Sequence, residues 1–350
     1  MSLDDPAASV VMNGRILAVQ SNGQKRVAQE TSRALGLRII MPPPGIVSGV
    51  KGHLWEQTSL PAQLRGAPLW SPSTSAPVFY RNQVITVHDL AFVDVPQYFS
   101  RSFTLLYRTI VRFAAHSARH LVAVSEFSRR RIIEEYGVRP ERVTRIYPGV
   151  SAGYHPRPAA EQSAIRQLLG IGDAPYLVAM ALNDPRKNLP AIIEAWRSLG
   201  TMRHGARLVF FGRGANPRAF AQSSSDTGLP SDDIVAAGAL TDDQAAALLT
   251  GAHGFVFPSL YEGFGLPIVE ASACGTPVLT STITSMPEVA PAGSLLVDPT
   301  STAAIAEGMA ALLAATPTTA HRRALVETAR TYSWTDAASQ YRSVFEEAFS

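Results

Sequence analysis

Two glutamates eight positions apart, Glu262 and Glu270, lie in a glycine-containing stretch whose residue types suit a ligand site. An apolar run ends at Phe257, so a buried strand is predicted to stop there. Pro267 suits the first turn of a helix, where no backbone N–H donor is needed, and Gly275 is predicted to end that helix. A loop that admits a ligand closely and leads into a helix N-terminus favours a phosphate group.

The carboxylates of this stretch predict sugar binding. A carboxylate accepts hydrogen bonds in pairs, which suits vicinal hydroxyls, so we expect one glutamate to hold a sugar and the other a ribose. The two glycines of the loop, Gly263 and Gly265, let the backbone approach a ligand without a side chain in the way. The alternative interpretation is a strand, a glycine loop and a helix with a capping carboxylate, which any doubly wound domain can contain.

A second candidate group is the adjacent basic pair Arg186 and Lys187, which follows a predicted strand at 176–181 and precedes a predicted helix at 189–199. A planar guanidinium fork and a compact ammonium charge can bind one diphosphate together. The alternative is two surface charges with no ligand.

Further candidates follow other predicted strands. His88 ends the apolar run Val84–Val87, and the carboxyl ends of strands are where open α/β sheets bind ligands; the alternative is a satisfied core histidine. Glycine turns follow the first predicted strand and two later ones. Of these, the turn at Gly212-Arg213 is by itself only a weak signal of nucleotide binding, and the turn at Gly23 is typical of entry into a helix.

The string from Phe257 to Pro277, with Pro185-Arg186-Lys187-Asn188, resembles the signature of the family 4 retaining glycosyltransferases of the bacterial polysaccharide-assembly type. The resemblance implies the GT-B fold, in which two Rossmann-like doubly wound parallel-sheet α/β domains face each other across a cleft. In that family the arginine and lysine neutralise the leaving diphosphate, and the histidine faces the reacting sugar. Two departures are Gln24-Lys25, where relatives have an apolar residue before glutamine, and Ala181 in place of glycine.

What the resemblance implies for function is transfer of a hexose from GDP-mannose or a UDP-hexose to a saccharide acceptor, which is expected to be lipid-linked. The implied catalytic residues are His88, Arg186, Lys187 and Glu262. The implied donor-binding residues are Gly23, Gly212, Arg213, Gly238, Gly263, Phe264, Gly265, Leu266 and Glu270. The chain contains no Asp-X-Asp, so we expect no metal and no cofactor beyond the donor substrate. The alternatives are a GT-B phosphorylase and a non-catalytic nucleotide-sugar-binding subunit.

Composition bounds the class of protein. The 350 residues are 46% hydrophobic and 17% charged, a globular composition long enough for two domains. The single cysteine, Cys274, cannot form an internal disulfide, which fits a reducing cytoplasm. The opening residues are too weakly apolar for a signal peptide, and no apolar run is long enough to cross a membrane. We therefore expect a cytoplasmic location.

Charge is distributed unevenly. The net charge is +3, but residues 1–160 hold 19 Lys and Arg against 10 Asp and Glu. Arg101, Arg108, Arg112 and Arg119 fall on one line of a helix predicted over 100–121, with Leu106, Ile110, Phe113 and Ala114 opposite. A solvated face is one interpretation; the other is peripheral binding to the anionic inner face of the cell membrane. No nucleic-acid partner is expected.

The predicted organisation has three parts: an acceptor-binding domain at 1–152, a donor-binding domain at 153–333, and a helix at 334–350 that crosses back to the first domain. Strands alternate with helices over 176–297, which indicates a parallel sheet. In the first domain, strands are predicted at 10–19 and 145–150. Residues 41–77, rich in proline and glycine, are predicted to hold short strands and receive no role.

Overall fold

The chain forms two units, each with its own parallel sheet. The structure, a computed structural model, describes residues 9–18, 23–47, 49–182, 184–212 and 233–350. The N-terminal unit contains the residues through Gly149 together with Tyr332–Ser350, and the C-terminal unit contains Val150–Thr331. Within the described ranges, no helix combines the length and the apolar character needed to cross a bilayer.

The sheet of the N-terminal unit has six described strands: β1 (Val11–Asn13), β2 (Arg38–Ile40), β3 (Leu69–Ser71), β4 (Gln83–Val87), β5 (His120–Ala123) and β6 (Val143–Arg145). Its helices are α1 (Gly23–Leu35), α2 (Gly49–Gln57), α3 (Ser59–Leu64), α4 (Ala91–Asp94), α5 (Arg101–Ser117) and α6 (Glu126–Tyr136). The strand order is β2-β1-β3-β4-β5-β6, so the winding direction reverses between β1 and β3. Ligands bind such sheets outside the carboxyl ends of the strands at the reversal.

The sheet of the C-terminal unit also has six described strands: β7 (Tyr176–Met180), β8 (Arg207–Phe211), β9 (Ile234–Gly238), β10 (Gly254–Phe257), β11 (Val278–Ser281) and β12 (Leu295–Val297). Its described helices are α7 (Ala159–Leu168), α8 (Leu189–Ser198), α9 (Asp242–Thr250), α10 (Leu266–Ala273), α11 (Met286–Val289), α12 (Thr302–Ala314) and α13 (Thr319–Arg330). The order β12-β11-β10-β7-β8-β9 reverses between β7 and β10. The two parallel sheets confirm the predicted doubly wound α/β class.

Burial explains why these segments form central strands. Every residue of β4 and of β10 is buried, and so are four of the five residues of β7. Strands covered by helices on both faces carry continuous apolar runs instead of alternating ones. In the C-terminal unit, Trp196 of α8 and Met309 of α12 complete the core on one face.

The last helix, α14 (Trp334–Phe349), packs within the N-terminal unit. Its Tyr341 and Phe345 are buried against Trp70 of β3, with ring centroids 5.1 and 5.9 Å away. The Tyr341 hydroxyl lies 3.0 Å from Thr86 Oγ1 of β4. The end of the chain therefore supplies part of the first core.

Three predictions about the N-terminal unit are wrong in detail. The strand expected over 10–19 lasts only through Asn13 and is followed by a 3-10 turn, because Asn13 Oδ1 accepts from Arg15 N and turns the chain. The segment 41–77 holds helices α2 and α3 as well as β3. The strand expected at 145–150 is β6, and it ends at Arg145.

The predicted faces of α5 are also partly wrong. Ile110 and Ala114 are buried as expected, and all four arginines are exposed. The helix predicted over 100–121 is too long, because α5 ends at Ser117 and β5 begins at His120, so Arg119 lies outside it. Leu106 and Phe113, however, are 41% and 56% exposed, and the neighbouring Leu105 is 70% exposed. The buried side is completed instead by Val111 and Ala115. The outer face of α5 is thus both basic and apolar.

Candidate functional site

The candidate site of the C-terminal unit lies where the winding of its sheet reverses. The turn that carries Arg186 and Lys187 follows β7, and the loop that carries Glu262 follows β10. Strands β7 and β10 are hydrogen-bonded neighbours, with Val178 opposite Phe255. Because both strands are parallel, the two segments leave the same edge of the sheet.

The basic turn is held by Asp184. Its carboxylate accepts from Arg186 N at 3.1 Å, from Arg186 Nε at 3.0 Å and from Arg186 Nη2 at 2.7 Å. Burial alone raises the pKa of the Asp184 carboxyl, but the hydrogen bonds and charge of Arg186 and the charge of Lys187 outweigh it and lower the pKa. The carboxylate is therefore ionised at neutral pH and fixes the guanidinium fork from one side.

Lys187 reaches the glutamate of the next loop. Its Nζ lies 2.5 Å from Glu262 Oε1 and 5.0 Å from the centre of the Phe257 ring. The Ser259 hydroxyl lies 2.7 Å from the same Glu262 oxygen and 2.9 Å from the Arg186 carbonyl, and its single proton serves one acceptor at a time. The side chains of Lys187 and Glu262 are only 11% and 14% exposed, so neither charge is free in bulk water.

Asn188 locks the basic turn to two other loops. Its backbone has φ of 61°, and its side-chain amide donates to the Pro258 carbonyl at 3.1 Å and to the Pro299 carbonyl at 2.7 Å. Leu260 N donates to the Arg186 carbonyl at 2.7 Å. These bonds fix the basic turn and the Glu262 loop as one body.

The loop after β10 leads into α10 at Leu266, with Pro267 in its first turn as predicted. Gly265 has φ of 111°, a conformation that side chains rarely adopt. Glu270 is buried one turn inside α10, and Cys274 follows the helix. Burial and the charge of Glu270 raise the pKa of the Cys274 thiol to about 12, so this cysteine is an unreactive packing residue.

Two other predicted glycines meet at the ends of neighbouring strands. Gly212 N donates to the Gly238 carbonyl at 2.7 Å, and both residues have positive φ. A Cβ on Gly212 would lie 2.6 Å from the Ala181 carbonyl oxygen. Glycine is therefore required for β8 to end this close to β7. The predicted Arg213 lies outside the described residues.

The remaining predicted residues lie in the N-terminal unit. His88 follows β4 and is buried; its Nε2 lies 2.8 Å from the Pro72 carbonyl oxygen. Burial lowers the pKa of His88, and the Pro72 hydrogen bond and the nearby Asp89 only partly oppose it. Gly23 is exposed at the first position of α1.

The structure thus brings Lys187 into direct contact with Glu262, and it links Arg186 to the same loop through its backbone carbonyl, while its guanidinium binds Asp184. The supporting residues that sequence reasoning did not single out are Asp184, Asn188, Ser259 and Ser285. Asp184 carries a sequence signal, since an aspartate before Pro-Arg is a typical helix-turn cap. Ser285, whose Oγ lies 2.9 Å from the Glu262 carbonyl, carries none. Among the described residues, no three His, Cys, Asp or Glu side chains cluster as metal ligands, and metal independence stays a prediction.

Two family profiles match the chain: Glycosyl transferases group 1 over residues 161–332 and Glycosyltransferase Family 4 over residues 66–153. The chain is 31% identical over 237 residues to O-antigen chain mannosyltransferase B of Escherichia coli, covering 67% of this chain and 62% of that protein. It is 27% identical over 216 residues to the GDP-mannose-dependent alpha-(1-6)-phosphatidylinositol monomannoside mannosyltransferase of Mycobacterium tuberculosis. This match covers 59% of this chain and 55% of that protein. The chain spans about three fifths of the length of these curated relatives.

Solved structures of similar fold extend over almost the whole chain. HepE of Anabaena in complex with UDP-glucose superposes with a TM-score of 0.76 at 17% identity, covering 97% of this chain and 99% of that one. WaaG, a glycosyltransferase involved in lipopolysaccharide biosynthesis, superposes with a TM-score of 0.73 at 18% identity, covering 96% and 99%. At these identities the likeness concerns the fold alone.

Proposed function

Because the chain belongs to family 4 of the GT-B glycosyltransferases, we propose that it transfers a hexose from a nucleotide-sugar to a saccharide acceptor with the anomeric configuration retained. The observation that carries this proposal is the contact between Lys187 Nζ and Glu262 Oε1 at the reversal of the second sheet. It places a cation suited to a diphosphate beside a carboxylate suited to sugar hydroxyls, and a nucleotide-sugar carries both kinds of group.

The chemical problem in this reaction is a departing diphosphate and an oxocarbenium-like sugar that form together. Arg186 and Lys187 offer fixed positive charge to the diphosphate, and the N-terminus of α10 adds backbone N–H donors. Glu262 orients the sugar through its hydroxyls, and Glu270 holds the ribose. A role for His88 of the N-terminal unit at the reacting sugar is implied by the family resemblance and stays a prediction.

The proposed step is a front-face substitution. The bond between the anomeric carbon and the diphosphate oxygen breaks, and the acceptor hydroxyl oxygen bonds to the same face of that carbon. The departing phosphate takes the hydroxyl proton, so no protein nucleophile is needed. Catalysis then consists of positioning and of stabilising the charge on the leaving group.

We propose GDP-mannose as the donor ahead of a UDP-hexose. The support is that the two curated relatives are mannosyltransferases, one of which is GDP-mannose-dependent by name. A UDP-hexose is the second candidate because the family resemblance implies either donor. The O-antigen relative supports a role in bacterial polysaccharide synthesis, and the phosphatidylinositol monomannoside in the name of the other relative supports a lipid-linked saccharide as acceptor.

An experiment that separates the candidates incubates the protein with GDP-mannose, UDP-glucose or ADP-glucose and measures release of the nucleoside diphosphate. Slow release without acceptor, stimulated by a mannose oligosaccharide, is the expected result for one donor. Binding without release would overturn the proposal in favour of a nucleotide-sugar-binding subunit. Release of sugar-1-phosphate that requires inorganic phosphate would overturn it in favour of a phosphorylase.

We also propose that the N-terminal unit binds an anionic membrane surface through α5. Arg101 and Arg112 are exposed on this helix, and so are Leu105 and Phe113, whose side chains are 70% and 56% exposed. A helix face with basic and large apolar residues together suits the boundary between lipid headgroups and acyl chains.

Flotation with vesicles tests this surface. We expect the protein to float with vesicles that contain phosphatidylglycerol and to stay behind with pure phosphatidylcholine. The double variant Leu105→Ser/Phe113→Ser and the double variant Arg101→Gln/Arg112→Gln should each reduce flotation. The exposed Arg330→Gln, in the C-terminal unit, is the control. Equal flotation of all four proteins would contradict the proposal.

A further inference from the structure

A buried irregular loop in the N-terminal unit connects a charged cluster to His88. Residues 72–76 follow β3 without regular structure, and all of them except Ser73 are buried. Loops normally run over the surface, because their backbone polar groups need water. The polar groups of this loop therefore need hydrogen-bond partners within the protein. Two sets of residues supply them.

The first set comes from α2. Glu56 is completely buried; it accepts from Asn13 Nδ2 at 2.7 Å, from Arg15 Nη1 at 2.8 Å and from the Ser75 hydroxyl. The next residue, Gln57, donates from Nε2 to the Ala76 carbonyl at 2.9 Å. Two consecutive residues of one helix thus anchor the end of the loop.

The cluster around Glu56 is built for a charged carboxylate. Burial raises the pKa of Glu56, but the hydrogen bond of His53, the charge of Arg15 and the hydrogen bonds of Ser75 and Asn13 lower it further than burial raises it. Arg15 also donates from Nε to the Val47 carbonyl at 3.2 Å. The Arg15 guanidinium thus donates to several protein groups of this cluster.

The second set is His88 itself. His88 Nε2 lies 2.8 Å from the Pro72 carbonyl, and His88 N donates to Thr74 Oγ1 at 3.2 Å. A carbonyl oxygen can only accept, so Nε2 carries the ring proton and Nδ1 keeps its lone pair. The loop therefore decides which nitrogen of His88 is protonated.

We propose that Glu56 is a positioning residue for His88, acting through the loop 72–76 to hold the Nε2-protonated form of the ring. The chain of contacts runs from Glu56 to Ser75, along the loop to Thr74 and Pro72, and from these to His88. Its effect on turnover rests on the proposed function, since it requires His88 to face the reacting sugar. The effect of Glu56 on which ring nitrogen of His88 is protonated does not depend on the proposed function.

The test measures the imidazole directly. Long-range ¹H–¹⁵N correlation spectra of the ligand-free, ¹⁵N-histidine-labelled protein report which ring nitrogen is protonated, and the His88→Gln spectrum assigns the signal. We expect a single Nε2–H form in the wild type and a mixture of both forms in Glu56→Gln. Ser75→Ala, a milder change that keeps Glu56 paired with Arg15, should give an intermediate result and serves if Glu56→Gln does not fold.

The matched control is Thr144→Val. It removes a hydrogen bond of 2.8 Å between Thr144 Oγ1 and His120 Nε2 in the same unit. His120 is the first residue of β5, whereas His88 follows the carboxyl end of the neighbouring strand β4. We expect it to lower stability without changing the His88 signal. A His88 signal unchanged in both Glu56→Gln and Ser75→Ala, or changed equally in Thr144→Val, would overturn the inference.

Kinetics supply the second readout. A misplaced catalytic group lowers turnover by about ten- to hundredfold, and we expect this fall in kcat for Glu56→Gln with an unchanged KM for the donor. An altered KM with unchanged kcat would contradict a positioning role. Full activity of His88→Gln together with a shifted His88 tautomer in Glu56→Gln would support the inference and refute the proposed role of His88, so the two failures are distinguishable.

Discussion

In the ligand-free candidate site, Lys187 and Glu262 form an ion pair. Both side chains are largely buried, and each compensates the charge of the other at 2.5 Å. Removing one partner of such a pair leaves the other charge buried and uncompensated. This lowers stability more than breaking an exposed ion pair does. In the proposed reaction, a diphosphate that binds Lys187 would compete with Glu262, and a sugar hydroxyl would then replace Lys187 as the hydrogen-bond partner of the Glu262 carboxylate.

Lys187→Ala tests this exchange. Removal of one preorganised charge at a leaving group costs roughly 10²- to 10³-fold in kcat, and we expect a fall of this size in release of nucleoside diphosphate at saturating donor. Arg186→Ala should act in the same direction. The control is Arg330→Ala, which breaks an exposed ion pair with Glu327 in the same unit. Turnover equal to the wild type in both Lys187→Ala and Arg186→Ala would refute the proposed stabilisation of the leaving group.

Asp184 predicts a pH dependence of stability. Its pKa in the folded protein lies below the ordinary value of 3.8, so its contribution is present above that value and is lost as pH falls through the folded-state pKa. We expect Asp184→Asn to be less stable than the wild type by about 1 kcal/mol at pH 7, since the pair with Arg186 is partly exposed. Chemical denaturation from neutral to acidic pH should show this difference shrinking as the carboxylate is protonated. A difference that stays constant with pH would exclude the ionised pair as its source.

At the scale of elements, the candidate site depends on strand ends that approach one another closely. The end of β8 passes the end of β7 at Gly212, where a Cβ would meet the Ala181 carbonyl at 2.6 Å. The end of β9 meets the same residue through the Gly238 carbonyl. Two glycines with positive φ thus lie at this edge of the sheet, and a side chain at Gly212 would move the backbone of Ala181.

Gly212→Ala should therefore destabilise the protein more than an ordinary glycine substitution. Gly205 has a positive φ of 75° in the same unit, but a Cβ at that position would have nothing within 4 Å, so Gly205→Ala carries the backbone strain alone. We expect the free energy of unfolding, measured by chemical denaturation, to fall by about 1 kcal/mol in Gly205→Ala and by at least about 2 kcal/mol in Gly212→Ala. Equal losses would show that the contact with Ala181 relaxes freely.

At the scale of the whole molecule, the chain enters the C-terminal unit at Val150 and returns at Tyr332 to finish the N-terminal unit. The returning helix α14 is not an appendage, since Phe345 is fully buried in a core with Trp70 and Met12. Tyr341 contacts Thr86 across 255 positions of sequence. Stability of the N-terminal unit should accordingly depend on residues far along the chain from the strands they cover.

Phe345→Ala tests this dependence. Deleting a buried aromatic side chain costs about 3–5 kcal/mol, and we expect a loss in that range in chemical denaturation. GDP binding, which we assign to the C-terminal unit, should persist under conditions in which the variant remains folded. Phe349→Ala, at the partly buried end of the same helix, is the control and should cost less. A loss below about 1 kcal/mol for Phe345→Ala would mean that α14 contributes little to the first core.

Short-range chemistry in the sequence determined much of this protein. Apolar runs bounded by Gly, Pro and Ser predicted β4, β7, β8 and β10, because burial on both faces leaves a continuous apolar signature. Pro267 and Gly275 predicted the start and end of α10, because φ preferences and missing donors act within a single turn. The string around Glu262 and Glu270 was enough to indicate the family.

Tertiary structure alone decided the contacts between distant segments. The sequence contains nothing that pairs Lys187 with Glu262, 75 positions away, or Asn13 with Glu56, 43 positions away. Helix α2 escaped prediction because glycine disfavours helices, yet Gly52 is needed there: a Cβ would lie 2.4 Å from the Val47 carbonyl. The residues at such positions are determined by tertiary contacts, which form only when the chain folds. Local helix and strand propensities therefore cannot predict them.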